Sequence, residues 1–350
     1  MHPASQIAGQ LATVESTHVR GRIVSFVDGR PGTRAQLFGF EPPGASTFVG
    51  TGTLNWNYRV ETSGGPVFVR KHRPERTSQQ IASEHACLHR VVDRGVPAPL
   101  PHAAPGGATV LEHAGSLWSV FPWCDAAPPM RGEMTERQTW AAGEMHGRIH
   151  AILADDPPSG TPDPRLEYDT AGAFAELETL LGLARECKHS LLIETLELQY
   201  ALLREHGPAA RSYASLRLGM AHGDYHDQQL LFRGDRLVAV TDWELFGMWA
   251  LVSELIRSLY FSRVLESAQM PAYLDGYRTH VELSESDCRL GMARWWQGRL
   301  HTAWVFRAYL IEGNERVAEF FPETLRALRA LADEESRNEI TERFVRAAAL

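Results

Sequence analysis

Between about residues 47 and 117, apolar and polar positions alternate with period two in short runs, among them "NYRVET", "PVFVRK", "TVLEH" and "LWSVFPW". Alternation of this kind, bounded by turn residues such as the "SGG" at 63–65, predicts half-buried strands. One segment breaks the rhythm. In "SQQIASEHACLHRVVDRG" the apolar residues Ile81, Leu88, Val91 and Val92 recur near a 3.6-residue period, and Gly95 and Pro97 stop the run. One helix is therefore expected among the strands. After "WCDAAPPMRGE" the period becomes helical throughout, in "TERQTWAAGEMHGRIHAIL", "AGAFAELETLLGLARE" and "SLLIETLELQYALLREHG", with the Pro-rich "DDPPSGTPDP" as a loop. Helical patterns resume in "MPAYLDGYRTHV", "GMARWWQGRLHTAWVFRAYLIE" and "PETLRALRALADEE". The expected architecture is α+β and two-lobed. A small antiparallel sheet with one helix spans 46–123, a mainly helical lobe spans 124–350, and residues 1–45 form an extension without an assigned role.

Only one hairpin is expected to interrupt the helices. Residues 230–232 and 237–240 flank "RGD" as two apolar strands around a tight turn. It lies in "MAHGDYHDQQLLFRGDRLVAVTDWELFG", residues 220–247, and folds the chain so that Asp224 meets Asp242 in space. Paired carboxylates in a cleft require protons, a basic neighbour or metal ions. Three readings follow. The acids are solvated at a surface turn, or His222, Asp224 and His226 ligate zinc, or the segment transfers phosphoryl groups. The third has the register of a kinase loop, with Asp224 as base, an amide at Gln229 five residues on, and Asp242 at the end of a hairpin.

Composition narrows the setting. The chain has 350 residues, 44% of them hydrophobic, which suits a globular enzyme. No apolar run approaches the roughly 18 residues of a bilayer span, and the N-terminus lacks signal-peptide character. A cytoplasmic protein without membrane partners is expected. Four cysteines without a C-x-x-C pair read as reduced thiols. A formal charge of −8 disfavours nucleic acid, despite the basic run "RKHRPER" at 70–76, and is compatible with a cationic small substrate.

The motif "HGDYHDQQLLF" followed by "AVTDWE" resembles the H-G-D-x-H-x-x-N and I-D-W-E segments of the aminoglycoside phosphotransferase and choline kinase-like enzymes, which share the protein-kinase fold. The resemblance covers roughly residues 48–277 and implies ATP and Mg²⁺ as cofactors. It makes Asp224 the catalytic base and Asp242 a metal ligand. Gln229 stands where the family has a metal-binding Asn, and its added methylene displaces the ligand oxygen, so Asp227 or Gln228 are possible substitutes. His222 reads as a structural hydrogen-bonder, and His226 as orienting the loop or touching substrate.

The resemblance extends to the small lobe. Gly50, Gly52 and Asn55 in "FVGTGTLNWNYRVET" are similar to the family's G-x-x-N-x-x-Y phosphate loop. Arg70 takes the place of the strand cation and Glu84 of its helical partner; Lys71 faces the opposite side of the strand. Phe121, Trp123 and Cys124 occupy the adenine hinge, with core filling as the alternative for the two rings. "AAGEMHGRIHAIL" resembles the helix beneath the catalytic loop, making His146 and His150 structural.

Acceptor contacts are expected after the loop. His226, Asp227, Glu244, Trp249, Glu254, Arg257 and Trp296 are the candidates, with Tyr260, Trp295, Arg299, His301 and Glu312 as weaker ones. The aromatic stripe containing Trp295 and Trp296 equally suits a core. The resulting expectation is a kinase acting on a hydroxyl of an antibiotic, sugar, nucleoside or amino alcohol. A protein serine/threonine kinase and a nucleotide-binding pseudokinase are its alternatives.

Overall fold

Alternation does build the sheet. The computed structural model describes residues 31–41, 44–49, 54–154, 168–207 and 213–349. Its small lobe runs α1 (Pro31–Leu37), β1 (Ser46–Phe48), β2 (Trp56–Val60), β3 (Val67–Lys71), α2 (Ser78–Asp93), β4 (Leu111–His113) and β5 (Ser116–Pro122). The strands form one antiparallel sheet in the order β1-β2-β3-β5-β4. Val60, Val67, Val69, Trp118 and Val120 bury one face against Ala35 and Phe38 at α1. Part of the N-terminal extension thus closes the small lobe's core. The opposite face carries Phe68 and Arg70, paired across β5 with Phe121 and Ser119. Helix α2 begins at a capping box in which Thr77 and Gln80 satisfy each other's backbone amides, and it buries Ile81, Glu84, His85, Leu88 and Val91.

The large lobe contains α3 (Glu136–Ala154), α4 (Thr170–Glu186), α5 (Ser190–His206), β6 (Leu218–Ala221), β7 (Leu230–Arg233), β8 (Arg236–Val240), β9 (Gly247–Ala250), α6 (Leu251–Phe261), α7 (Met270–Arg278), α8 (Glu285–His301), α9 (Trp304–Leu310), α10 (Phe321–Ala332) and α11 (Glu334–Ala349). The expected hairpin is β7–β8, turning at Gly234 with φ 61°. A second ribbon was not expected: β6 pairs antiparallel with β9 across the whole of residues 222–246. The aromatic run read as one helix also breaks, at Thr302 and Ala303, between α8 and α9.

Helices α3 and α7 cross at backbone contact. A Cβ at Gly143 would lie 1.9 Å from the Tyr273 carbonyl oxygen, and one at Gly147 2.3 Å from that of Tyr277. The close crossing brings His146 Nδ1 and His150 Nδ1 each within 2.8 Å of Tyr273 Oη and Tyr277 Oη respectively. Gly147→Ala must push the helices apart, and overpacking of this kind costs about 1–3 kcal/mol. Urea unfolding should show a lower midpoint; an unchanged midpoint would mean that the crossing yields freely.

Candidate active site

Ribbon β6–β9 and hairpin β7–β8 together hold the loop 222–229 from both ends. Gly223 turns with φ +84°, and a Cβ there would meet the Leu245 carbonyl oxygen at 2.2 Å, so only glycine fits. His222 uses both ring nitrogens: Nε2–H donates to the Thr241 carbonyl at 2.9 Å and Nδ1 accepts the Asp224 amide at 3.2 Å. The zinc reading fails on this point, since neither nitrogen is left to ligate. The imidazole instead ties the Asp224 loop to the residue preceding Asp242. Asp224 is partly exposed and its Oδ1 accepts from Arg257 Nη2, while Oδ2 lies 3.6 Å from His226 Nε2. Burial alone would raise its carboxyl, but Arg257 and His226 outweigh that and hold it well below the usual carboxylate range. His226 shifts upward for the reciprocal reason: burial opposes its charge, and bonds to Asp224 and Asp227 prevail.

Asp242 sits just after β8 in the left-handed region, φ 60° and ψ 61°, a conformation that Asp tolerates better than most residues. Arg70 of β3 reaches across from the small lobe and meets its Oδ1 at 2.8 Å, while Arg70 Nε donates to Asn57 at 3.2 Å. Glu84 is paired differently from the expectation. Arg76, five residues beyond Lys71 at the end of β3, holds Glu84 at 2.7 Å and the Glu244 carbonyl at 2.7 Å. Arg70 is thereby free of the helix and committed to Asp242. Glu244 belongs to this side of the cleft, not to an acceptor site: its Oε2 accepts Asn55 Nδ2 at 2.6 Å. Gln229 lies beside Asp242, its backbone carbonyl accepting the Thr241 amide at 2.9 Å and its Oε1 lying 3.4 Å from the Thr241 hydroxyl. Gly50 and Gly52 lie outside the described residues. Phe121 is buried against Phe68 and His85, so it fills the core. Trp123 and Cys124 follow β5 half-buried; Arg59 lies over the Trp123 ring at 4.9 Å, and burial raises the Cys124 thiol.

A family model, the phosphotransferase enzyme family (APH), matches residues 46–287. The chain belongs to this family. None of the curated proteins compared matches the sequence. Solved structures of similar fold include amicoumacin kinase hAmiN in complex with AMP-PNP, Ca²⁺ and Ami, with TM-score 0.61 and 15% identity over 85% of this chain and 91% of that one. Spectinomycin phosphotransferase in complex with ADP and spectinomycin follows at TM-score 0.58 and 11% identity, covering 87% and 94%. A microcompartment-associated aminopropanol kinase has TM-score 0.53 and 20% identity, covering 79% and 90%. The protein-kinase-like two-lobed fold is thus established for the phosphotransferase.

On the acceptor side of the phosphotransferase, several expected residues move. Glu254 is buried under the loop: Oε1 accepts the Gly223 amide at 3.1 Å, and Oε2 meets His150 Nε2 at 3.1 Å and His146 Nε2 more closely still. No substrate reaches it. His146, His150 and Glu254 also have the composition of a metal site, yet each ring has a tyrosine hydroxyl on its other nitrogen and the carboxylate is fully engaged. Asp227 is completely buried, accepting the Gly132 amide at 2.7 Å behind His226. It braces the loop. Trp249 packs over Gly223 and donates to the Leu245 carbonyl at 3.3 Å. Trp296 fills the helical core, whereas its neighbour Trp295 contacts Tyr260 and Phe261. Arg257 does stand at Asp224, with Nε donating to the Gly223 carbonyl at 3.0 Å. A cavity of about 360 Å³ lined by Tyr260, Arg263, Leu265, Glu266, Glu323 and Arg326 includes neither Asp224 nor Asp242.

Proposed function

We propose that the protein transfers the γ-phosphoryl group of ATP to a hydroxyl of a small molecule. The carrying observation is the His222 bridge, which couples the Asp224 amide to the Thr241 carbonyl beside Asp242 and so ties together the two loops that carry these carboxylates. In this reading Asp224 Oδ2 receives the acceptor's hydroxyl proton as its oxygen bonds to the γ-phosphorus. The bond to the bridging oxygen breaks and ADP leaves. Arg257 fixes the other carboxylate oxygen, and Arg70 supplies a positive charge for the phosphates. Asp242 and Gln229 offer hard oxygen donors that suit Mg²⁺, and a bound Mg²⁺ would neutralise phosphate charge. The acceptor class follows the family and the substrates named for the similar kinases, which include antibiotics and an amino alcohol.

Two observations favour a second reading, a nucleotide-binding pseudokinase. Gln229 points its oxygen at Thr241, and Asp242 is already neutralised by Arg70. Calorimetric titration with AMP-PNP, with and without Mg²⁺, together with ATP turnover on a panel of hydroxyl acceptors separates the two. Mg²⁺-dependent binding with turnover on at least one acceptor is the expected result. Tight binding with no turnover on any acceptor supports the pseudokinase, and no nucleotide binding sinks both.

A further inference from the structure

The wall of the site beyond Asp224 is cationic and aromatic. Phe261, the last residue of α6, has the Arg257 guanidinium 4.5 Å from its ring centre, the Arg299 guanidinium at 5.9 Å and the His226 ring at 6.1 Å. Arg299, projecting from α8, also lies 5.7 Å from the Tyr260 ring and 5.6 Å from that of Trp295. Its charge is not balanced by a bond: among the described residues its guanidinium makes no hydrogen bond or ion pair, and its Nε is buried without an acceptor. The Trp295 indole N–H beside it is likewise buried and unmet. Glu323, the carboxylate whose charge Arg299 feels, is engaged by Arg326 at 2.7 Å and by the Tyr260 hydroxyl at 3.1 Å. Asp224 is neutralised by Arg257. Burial, with Arg257 as a like-charged neighbour, lowers the Arg299 pKa, the signature of a cation without a counter-charge.

Buried donors without acceptors are costly unless a ligand supplies acceptors. We propose that the acceptor substrate is an alcohol carrying an anionic group, a carboxylate or a phosphate ester, bound by Arg299 and Arg257 against Phe261 while its hydroxyl meets Asp224. The inference rests on the reading of Asp224 as the acceptor-side base. It runs against the net charge of −8, which is compatible with a cationic substrate, because the field at a site is set by the groups within it.

The test fills the nucleotide site of the full chain with AMP-PNP and Mg²⁺ and titrates four small alcohols by calorimetry: glycerate, glycerol phosphate, glycerol and choline. At least one anionic alcohol should bind about tenfold more tightly than glycerol or choline, and Arg299→Gln should remove that preference while leaving AMP-PNP affinity unchanged. A preference for glycerate over glycerol phosphate, or the reverse, separates carboxylate from phosphate. Arg299→Lys keeps the charge and should retain most of the preference, which guards against misfolding of the Gln variant. Choline or glycerol binding as tightly as both anions overturns the proposal, as does anion binding insensitive to Arg299→Gln, or no anion binding at all. If AMP-PNP itself fails to bind, the phosphotransferase reading fails, and the same titrations without nucleotide still decide the charge preference.

Discussion

Asp224→Asn should lower turnover by about 10²–10⁴-fold, the range for removal of a positioned general base, with AMP-PNP affinity unchanged. The substitution is isosteric, so Gly223, His222 and the β6–β9 ribbon keep their places. What changes is proton acceptance at the oxygen that faces the acceptor. Arg257 loses its counter-ion but keeps its bond to the Gly223 carbonyl, which limits the disturbance to the acceptor side. The pH profile adds a second signature. Because Arg257 and His226 overcome burial and hold the Asp224 carboxyl well below its ordinary value, the group remains ionised throughout the neutral and mildly acidic range. Any acid limb seen there belongs to another group, and His226, raised by its two carboxylate neighbours, is the one in contact. Wild-type turnover in Asp224→Asn would remove Asp224 from the mechanism, and a loss of nucleotide affinity equal to the loss of turnover would move it to the nucleotide side.

The legible parts of this molecule are those whose partners lie nearby in sequence. Alternation marked β2, β3 and β5, the 3.6-residue period with its Gly95 and Pro97 stop marked α2, and the "RGD" turn marked the β7–β8 hairpin that ends before Asp242. Arg70 could be preferred over Lys71 from strand parity, and it is Arg70 that faces Asp242 while Lys71 lies over Trp118. Legibility fails where the deciding contact is distant. Ribbon β6–β9 pairs segments separated by the loop 222–229 and the whole β7–β8 hairpin, so no single tight turn joins them. Glu254 and Arg257 are near neighbours on one amphipathic helix, yet one is sealed against His146, more than a hundred residues away, and the other reaches Asp224. Trp295 and Trp296 are adjacent, so only the rotation of α8 against α6 decides which ring reaches Phe261. Glu84 carries the kinase-like helix glutamate, but Arg76 in the loop before α2 takes it and releases Arg70. Such choices depend on burial shared between elements, which period and spacing do not encode.

Glu254→Gln should destabilise the fold by about 3 kcal/mol, because it breaks a buried and fully satisfied network. Ser258 can donate to the Tyr273 hydroxyl at 2.7 Å, Tyr273 and Tyr277 to the Nδ1 atoms at 2.8 Å, and both Nε2–H groups to Glu254 Oε2, while the Gly223 amide takes Oε1. With neutral imidazoles and an ionised carboxylate every donor has an acceptor. Burial would raise the carboxyl, but its imidazole partners hold it well below 4.5, while burial lowers His146 below 6.5. Unfolding therefore takes up protons in acid, so stability should fall as pH drops below about 6.5 and further below about 4.5. A glutamine amide replaces one acceptor with a donor, which must face either the two imidazole N–H groups or the Gly223 amide. The urea midpoint should drop at neutral pH and the slope below about 4.5 should flatten, since the titrating carboxyl is gone. Turnover should fall more than nucleotide affinity, because Gly223 carries Asp224 directly. A variant with the wild-type midpoint and turnover would show that these donors find acceptors without Glu254, and that the catalytic loop is held by the His222 bridge alone.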